Sequence, residues 1–261
     1  MRQPGQIRVT VFPNDRAAAR ALAVRIASAL NVQPAMVLGL PTGRTPVRFY
    51  NELVSLAVHG KANFAQARTF NLDEFLGIPA GHPGSYRQFM EAHLFAHVGI
   101  PADRIHFLNG AAADPEAECA RYEAAIAAAG GIDVQILGIG TNGHIGFNEP
   151  ARELQARTHR VRLTPETRRS NAPLFGGDPH AVPAEALSMG MATILQARSI
   201  VLLATGRSKA ACVERVVNGP ITTELPASFL QLHHEVEIML DVPAGERLGG
   251  ALGRERHGDQ I

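Results

Sequence analysis

Short runs of hydrophobic residues alternate along the chain with longer segments in which hydrophobic positions recur every three or four residues. Short apolar runs are typical of buried strands, and a period near 3.6 residues is typical of helices with one buried face. The predicted strands are residues 7–12, 36–40, 67–72, 105–108, 134–139 and 200–204. The predicted helices are residues 15–30, 46–58, 85–97 and 115–129, the first of them with Asn14 as its N-cap.

The two runs at residues 134–139 and 200–204 are almost entirely apolar and are bounded by glycines. Strands covered by helices on both faces have this composition, because neither side of the sheet meets water. Strands that alternate with helices need crossover connections, and these place neighbouring strands parallel. The sequence therefore predicts an α/β fold, with a single doubly wound, mostly parallel sheet and helices on both faces.

Nothing in the composition divides the chain, since no internal repeat and no linker rich in Pro, Gly or Ser stands out. We therefore predict a single α/β domain over residues 1–244 and a polar tail over residues 245–261 that frays. Hydrophobic residues make up 46% of the 261 residues, which is enough for a sizeable core. The formal net charge is +1 without a basic stripe, so nucleic acid is not an expected partner.

The cellular compartment is indicated by the cysteines and by the lack of long apolar runs. Cys119 and Cys212 are too few for a disulfide framework, so both are expected to be reduced thiols in the cytoplasm. No apolar run approaches the roughly 20 residues that a membrane span needs, and the N-terminus lacks the apolar region of a signal peptide. We expect a soluble cytoplasmic protein with no membrane partner.

Two glycine turns that follow predicted strands could bind an anion. In residues 38–46 (LGLPTGRTP) a strand leads into a helix that Thr45 would cap and Pro46 would begin. Backbone N–H groups and the positive end of the helix favour an anion there, although an ordinary tight turn explains the pattern equally well. In residues 204–210 (ATGRSKA), Lys209 opposes the helix dipole unless an anion binds beside it. A lysine that faces solvent is the alternative.

Two further segments carry acid–base groups. Asp73 and Glu74 end a strand, and adjacent residues of an extended chain point to opposite faces, so one of them is expected to face the cleft. The alternative is that both are solvated. In residues 137–150 (LGIGTNGHIGFNEP), four glycines surround His144 and Glu149. A folded loop can bring these two together, and a carboxylate beside an imidazole suits proton transfer to a sugar oxygen.

Other kinds of chemistry lack a sequence signal. No spacing of Cys, His and Asp indicates a metal site, and no Gly-x-Ser-x-Gly motif indicates a serine hydrolase. All four segments follow strands of a predicted parallel sheet, where ligands of such sheets bind. Together they predict a pocket for a phosphorylated substrate that undergoes proton transfers.

The loop sequence GTNGHIGFNEP at residues 140–150 resembles the signature of the glucosamine-6-phosphate deaminase family. The similarity extends over residues 37–241 in the family's order, through residues 38–46, 70–77, 82–86 (HPGSY), 226–228 and 230–233. The resemblance implies a cofactor-free enzyme that converts glucosamine 6-phosphate to fructose 6-phosphate and ammonia. It also implies that residues 82–86 belong to a lid, although Tyr86 could equally be a core residue of the following helix.

The resemblance also assigns roles to individual residues. It implies that Asp73 is the base that moves a proton between C2 and C1 of the sugar. It implies that His144 opens the sugar ring, and that Glu149 and Asn142 orient its imidazole. The residues that it implies for the phosphate are Thr42, Gly43, Thr45 and Lys209.

Two positions depart from the family pattern. Pro173 stands where the family usually has an arginine, and Arg44 stands where it usually has Gly or Ser. We hypothesise that Arg44 supplies the missing phosphate contact, the alternative being that the arginine is not replaced. Other candidates for the replacement are Arg168, Arg169 and Arg207. His159 and Val161 stand near the place where some members bind an allosteric sugar phosphate through basic residues, so we expect no such activation.

Three alternative functions remain open at this stage: a galactosamine-6-phosphate isomerase, a hydrolase like 6-phosphogluconolactonase, and the sugar-phosphate sensor domain of a transcription regulator. The complete loop and the lid motif favour a deaminase over a lactonase. Sensors carry a helix-turn-helix, whereas the first predicted strand here begins at residue 7. The sugar epimer, the oligomeric state and any assembly into a homo-oligomer stay open.

Overall fold

The computed structural model describes residues 7–249. Seven strands form one sheet in the order β1-β10-β9-β6-β2-β3-β5, and every neighbouring pair in it is parallel. These strands are β1 (Arg8–Phe12), β2 (Val37–Leu40), β3 (Arg68–Asn71), β5 (Ile105–His106), β6 (Val134–Leu137), β9 (Ser199–Ala204) and β10 (Val236–Asp241).

Helices cover both faces of this sheet, and each face has its own hydrophobic cluster. The helices are α1 (Asp15–Val32), α2 (Val47–Val58), α3 (Tyr86–Met90), α4 (Ala96–Val98), α5 (Pro115–Ala128), α6 (Pro165–Asn171), α7 (Met191–Leu195), α8 (Ala210–Asn218) and α9 (Val242–Gly245). Successive residues of one strand point into opposite clusters, as Leu202 and Leu203 of β9 do. The predicted doubly wound, mostly parallel fold is confirmed.

A second, antiparallel sheet of three strands was not predicted. It consists of β4 (Asp73–Phe75), β7 (His159–Arg162) and β8 (Glu185–Ser188), in the order β4-β8-β7. These strands have only three or four residues each and carry many polar residues, so they lack the apolar runs that identify a strand in sequence. A small aromatic cluster around Phe75, Tyr86 and Phe147 packs against this sheet.

Strand β10 was also missed, although it lies between β1 and β9 and is buried along its whole length. Glu237 interrupts its apolar run. The charge is tolerated because the Glu237 carboxylate accepts a hydrogen bond from Thr10 and pairs with Arg8 at 2.6 Å and Arg25 at 2.5 Å. These partners lie far away in the sequence, so the strand is recognisable only when the fold is known.

Several predicted boundaries need correction. Thr45 was predicted to cap a helix that begins at Pro46, but α2 begins at Val47, Pro46 holds the N-cap position and no side chain caps it. The Val47 N–H instead donates to the Arg44 carbonyl at 3.4 Å, so the chain is already turning one residue earlier. The predicted helix at residues 85–97 is formed by α3, a π-helical turn (Glu91–Phe95) and α4.

The beginning of the predicted tail is packed rather than frayed. Leu248 is buried in the core, and Glu246 pairs with Arg207 at 3.2 Å. The rest of that prediction, residues 250–261, lies outside the described residues. Within residues 7–249, no helix is both long and apolar enough to cross a membrane.

Candidate active site

The four segments predicted to carry chemistry follow β9, β6, β2 and β3, which are consecutive neighbours in the large sheet. Because all four strands are parallel, their carboxyl ends lie along one edge, and the segments that leave them meet there. This edge holds the candidate site. The small antiparallel sheet adjoins it, since β4 begins at Asp73, two residues after β3 ends.

Asp73 is buried next to the loop that carries His144. Asp73 is 6% exposed, and its Oδ1 atom has no hydrogen-bond partner among residues 7–249. A Cβ atom added to Gly146 would lie 3.7 Å from Asp73 Oδ2, so the loop passes within van der Waals distance of the carboxylate, and the φ of 58° favours glycine there. Burial, with a further contribution from the charge of Glu74, raises the pKa of Asp73 to about 8, although the Thr42 hydroxyl lowers it. The group is therefore suited to accept and return a proton near neutral pH.

Glu74, in contrast, faces away from the cleft. Its carboxylate accepts hydrogen bonds from the backbone N–H groups of Phe75, Tyr86 and Arg87 at 2.8–2.9 Å. The opposite orientation of the two neighbours follows from the alternation of side chains along β4. The alternative in which both carboxylates are solvated is wrong, because Glu74 is 2% exposed.

The loop after β6 brings the predicted acid–base group together. His144 Nδ1 lies 3.2 Å from Glu149 Oε2, and the Asn142 side-chain amide donates to the same oxygen at 2.7 Å. An ionised carboxylate only accepts, so Nδ1 carries the proton and Nε2 of the neutral ring is left as an acceptor. The imidazole lies against Gly140, where an added Cβ would come within 2.4 Å of the ring. A glycine is therefore required at this position.

Thr167 is a member of this group that the sequence did not identify. Its hydroxyl donates to Glu149 Oε1 at 2.6 Å, so both carboxylate oxygens are bound. Burial alone would raise the pKa of Glu149. The hydrogen bond and the charge of His144, and the hydrogen bonds from Thr167 and Asn142, outweigh burial and lower this pKa to about 2. The only sequence signal for this role of Thr167 was its position three residues after Thr164, the N-cap of α6. Its burial is seen only in the structure.

Distant residues hold the same loop in place. Asn148 is buried, and its amide donates to the carbonyls of Ile145 at 2.9 Å and Met189 at 2.8 Å. Ser188 accepts a hydrogen bond from the Phe147 N–H at 3.1 Å and lies opposite Asp73 in the antiparallel sheet. The small sheet therefore fixes the loop relative to Asp73.

The turn after β2 is open on the side that would meet a ligand. Gly43 has a φ of 97°, and an added Cβ there would meet nothing within 4 Å. Thr42 neighbours the Asp73 carboxylate and the Tyr86 hydroxyl, so this turn borders the base. Thr45 does not cap α2, so its hydroxyl is not used at the start of this helix.

The turn after β9 differs from the sequence prediction in one respect. In this turn, which the sequence marked as a possible anion site, the Gly206 N–H donates to both oxygens of Asp241 at 2.9 and 3.0 Å. Asp241 also caps α9 through the Ala244 N–H. A carboxylate of the protein therefore already uses the Gly206 N–H, so the prediction of an anion at this turn depends on Lys209.

Lys209 and Arg44 form a pair of like charges. Burial lowers the pKa of Lys209, and the positive charge of Arg44 lowers it further. Within residues 7–249 neither side chain forms an ion pair. Two neighbouring cations without a carboxylate repel each other, and an anion between them removes that cost.

The other arginines that could replace the missing one are engaged elsewhere. Arg168 donates to the carbonyls of Val182 at 3.1 Å and His180 at 3.0 Å. The remaining two form ion pairs, Arg169 with Glu166 and Arg207 with Glu246. Pro173 lies in the 3₁₀ turn Ala172–Phe175 that follows α6.

Tyr86 belongs both to the core and to the site. Its ring is buried between Phe75, at a centroid distance of 4.6 Å, and Phe147, at 5.9 Å. Its hydroxyl donates to Asn171 Oδ1 at 2.9 Å and neighbours Thr42. It thereby links the segment at residues 82–86 to α6. The alternative in which Tyr86 is a core residue is confirmed, and a place of this segment in a lid stays a prediction.

Comparison with known proteins places the chain in a family. A sequence profile of the glucosamine-6-phosphate isomerases/6-phosphogluconolactonase family matches residues 15–239. The chain belongs to this family. A glucosamine-6-phosphate deaminase of Halothermothrix orenii is 46% identical over 242 residues, which cover 93% of this chain and 100% of the relative. The glucosamine-6-phosphate deaminase 2 of Bacillus subtilis is 49% identical over 216 residues, covering 82% and 87%.

Solved structures of family members agree with the sequence relatives. A monomeric glucosamine-6-phosphate deaminase superposes with a TM-score of 0.88 at 39% identity, over 92% of this chain and 100% of that one. The 6-phosphogluconolactonase from Trypanosoma cruzi has a TM-score of 0.76 at 20% identity, over 95% and 98% of the two chains. The latter similarity shows a common fold only.

Proposed function

We propose that this chain is a glucosamine-6-phosphate deaminase, which isomerises the amino-sugar phosphate and releases ammonia. The observation that carries the proposal is the pairing of a buried carboxyl, Asp73, with the His144–Glu149 group on an adjoining loop. One group can move a proton at carbon while the other moves a proton at the ring oxygen. The names of the most similar relatives support the same reaction.

The residues would act in sequence on a bound sugar phosphate. The His144 imidazole transfers a proton at the ring oxygen and opens the pyranose, while Glu149 and Asn142 hold the ring orientation. Asp73 then takes the proton from C2 and returns it to C1, while a proton passes from the amino group to O1, so that the 2-amino aldehyde becomes a 2-imine with a hydroxyl at C1. Water adds to that imine, the C–N bond breaks and ammonia leaves. This last step is the hydrolytic part of the reaction.

The phosphate is assigned to the turn after β2 together with Lys209. Thr42, Gly43 and Thr45 line the open side of the turn, and α2 directs its positive end there. Arg44 supplies the second cation, in place of the arginine that Pro173 replaces. A guanidinium can contact two phosphate oxygens at once, whereas the Lys209 ammonium acts as a point charge.

The test of the reaction is an ammonia-release assay on glucosamine 6-phosphate and galactosamine 6-phosphate in parallel. Release from the first, with fructose 6-phosphate formed in equal amount, is the expected result. Faster release from the galactosamine epimer would assign the chain to that substrate instead. No ammonia from either sugar, combined with hydrolysis of 6-phosphogluconolactone, would replace the proposal by the lactonase alternative.

The test of the phosphate assignment is Arg44→Gly, which introduces a residue usual in the family. A charge-assisted hydrogen bond is worth about 1.5–3 kcal/mol, so KM should rise roughly ten- to 150-fold. The effect should fall on KM more than on kcat, because the phosphate contact is equally strong before and during the reaction. Arg48→Ala is the matched control, since Arg48 is exposed and pairs with Asp15. An unchanged KM for Arg44→Gly would show that the missing arginine has no replacement.

A further inference from the structure

Glu74 is an ionisable side chain beside the site that the proposed reaction does not use. It is 2% exposed, follows Asp73 directly and belongs to the same short strand, β4. Its Oε1 atom accepts from the Phe75 N–H at 2.8 Å and the Tyr86 N–H at 2.9 Å, and its Oε2 atom accepts from the Arg87 N–H at 2.9 Å. Two of these donors are the first N–H groups of α3, which have no partner inside the helix.

The first turn of α3 determines where the Tyr86 hydroxyl lies. Tyr86 is the first residue of α3, and its ring is fixed between aromatic neighbours while its hydroxyl donates to Asn171 at 2.9 Å. That hydroxyl and the Asp73 carboxylate share Thr42 as a polar neighbour. A shift of α3 would therefore displace the polar groups around Asp73.

Within residues 7–249, neither Asp73 nor Glu74 forms an ion pair with a cation. Arg87 binds Glu74 through its backbone N–H, but its guanidinium pairs with Glu91 at 3.4 Å and lies over two phenylalanine rings. The titratable groups that face Asp73 from the packed helices are tyrosines, namely Tyr50 of α2, Tyr86 of α3 and Tyr122 of α5. Burial raises the pKa of each tyrosine well above its usual value, so all three are neutral.

We propose that Glu74 is a positioning residue for the proton transfer: its carboxylate fixes the first turn of α3 beside Asp73, and its negative charge keeps Asp73 an effective proton acceptor. This inference rests on the proposed function, because that function makes Asp73 the base. It adds a second carboxylate that does not touch the substrate. Glu74 acts on Asp73 by holding α3 in place and through its negative charge, whose effect is strong in a dry pocket.

The order in which the pair loses its protons supports this role. Burial raises the pKa of Glu74, although its three N–H donors oppose this, and the result is about 7. Burial and the charge of Glu74 raise the pKa of Asp73 to about 8. Glu74 has donors for its negative charge whereas Asp73 Oδ1 has none, so Glu74 ionises first. Removal of the Glu74 charge should then lower the pKa of Asp73.

The experiment compares Glu74→Gln with Glu91→Gln, which removes an exposed carboxylate from the turn next to α3. In Glu74→Gln we expect kcat to fall roughly tenfold or more, because an amide cannot accept at both oxygen positions. The ascending limb of the pH profile of kcat/KM should move to lower pH by about one unit. Glu91→Gln should change neither. If Glu74→Gln lowers the activity but leaves the ascending limb of the pH profile at the same pH, Glu74 has only a structural role.

A second measurement does not depend on activity or on the proposed reaction. The carboxyl ¹³C resonance of Asp73 can be titrated in the wild type and in Glu74→Gln, and its midpoint should fall in the variant. An unchanged midpoint overturns the inference even if the enzyme is a deaminase.

If Glu74→Gln does not fold, Glu74→Asp keeps the charge with a shorter reach. We expect its midpoint to stay near the wild-type value while kcat falls, and a midpoint that falls as well overturns the inference.

Discussion

Asp73 and Glu149 are carboxylates on neighbouring segments of one site, and the protein shifts their pKa values in opposite directions. Asp73 has an oxygen without a partner and a pKa raised to about 8, whereas Glu149 has both oxygens bound and a pKa lowered to about 2. Both are largely buried, so burial alone does not decide the outcome. What decides it is the number of donors aimed at the carboxylate and the sign of the nearest charge.

This difference assigns the two groups to different tasks. A carboxylate that remains ionised at every physiological pH can orient an imidazole and stabilise its charged form, but it is a weak base. A carboxyl that titrates near pH 8 can take up a proton and give it back. The following predictions test this division, beginning with the largest expected effect.

The first prediction concerns Asp73 as the group that moves the proton at carbon. Asp73→Asn keeps the size of the side chain and removes its basicity, so kcat should fall by roughly two to four orders of magnitude. Substrate binding, measured by calorimetry, should change little, since the phosphate is held elsewhere. A variant that keeps more than about a tenth of wild-type turnover would exclude Asp73 as the base.

The second prediction concerns His144 as the group that opens the ring. His144→Gln should lower the rate on the cyclic substrate by roughly two to three orders of magnitude. On a substrate analogue that cannot close, the loss should be much smaller. Asn142 and Glu149 stay in place in this variant and serve as the internal control. Equal losses on both substrates would place His144 in the isomerisation, and the division between the two carboxylates would no longer hold.

The third prediction concerns stability, because the two carboxylates should affect it with opposite signs. A folded-state pKa raised above the usual value destabilises the fold as pH rises from about 4 to 8, so Asp73→Asn should be more stable than the wild type near pH 8. A lowered pKa stabilises the fold above about pH 4.5 and loses that effect as pH falls towards 2, so Glu149→Gln should be less stable at pH 7. We expect differences of roughly 1–3 kcal/mol in urea unfolding. Changes of the same sign at pH 8 would contradict the comparison.

The fourth and smallest prediction concerns Thr167, one of the three donors to Glu149. Thr167→Val removes the 2.6 Å hydrogen bond and should cost about 0.5–1.5 kcal/mol of stability with a several-fold loss in kcat. The pKa of Glu149 should rise towards its usual value. Ser170→Ala is the control, because within residues 7–249 the Ser170 hydroxyl donates to the Thr167 carbonyl and to no group of the site. A Thr167→Val enzyme with wild-type activity would show that two donors are enough.

Much of the large sheet could be predicted because its strands have a local signal. The runs at residues 134–139 and 200–204 are apolar on both faces, and in the structure β6 and β9 lie inside the sheet. The loop at residues 140–150 was likewise identified from a local signal, the pattern of its own residues. The family that the resemblance named is confirmed by the match over residues 15–239.

The parts that were missed depend on residues far apart in the chain. Strand β10 contains Glu237, which is acceptable only because Arg8 and Arg25 come from other elements. The turn at Gly206 has the sequence of a possible anion site, and only the fold shows that its N–H binds Asp241 of β10. Thr167 is an ordinary residue of α6 until the fold places it beside Glu149.

The sequence by itself determined six of the seven strands of the large sheet, the glycines where backbone and side chains pass closely, and the chemical groups available at the strand ends. Only the tertiary structure decided how those groups behave. Asp73 and Glu149 have closely similar pKa values in an unfolded chain, because water solvates both. Their separation by several pH units requires a dry pocket on one side and three converging donors on the other. Segments distant in sequence enclose Asp73, and Thr167 of α6 joins Asn142 and His144 of the loop as the third donor to Glu149.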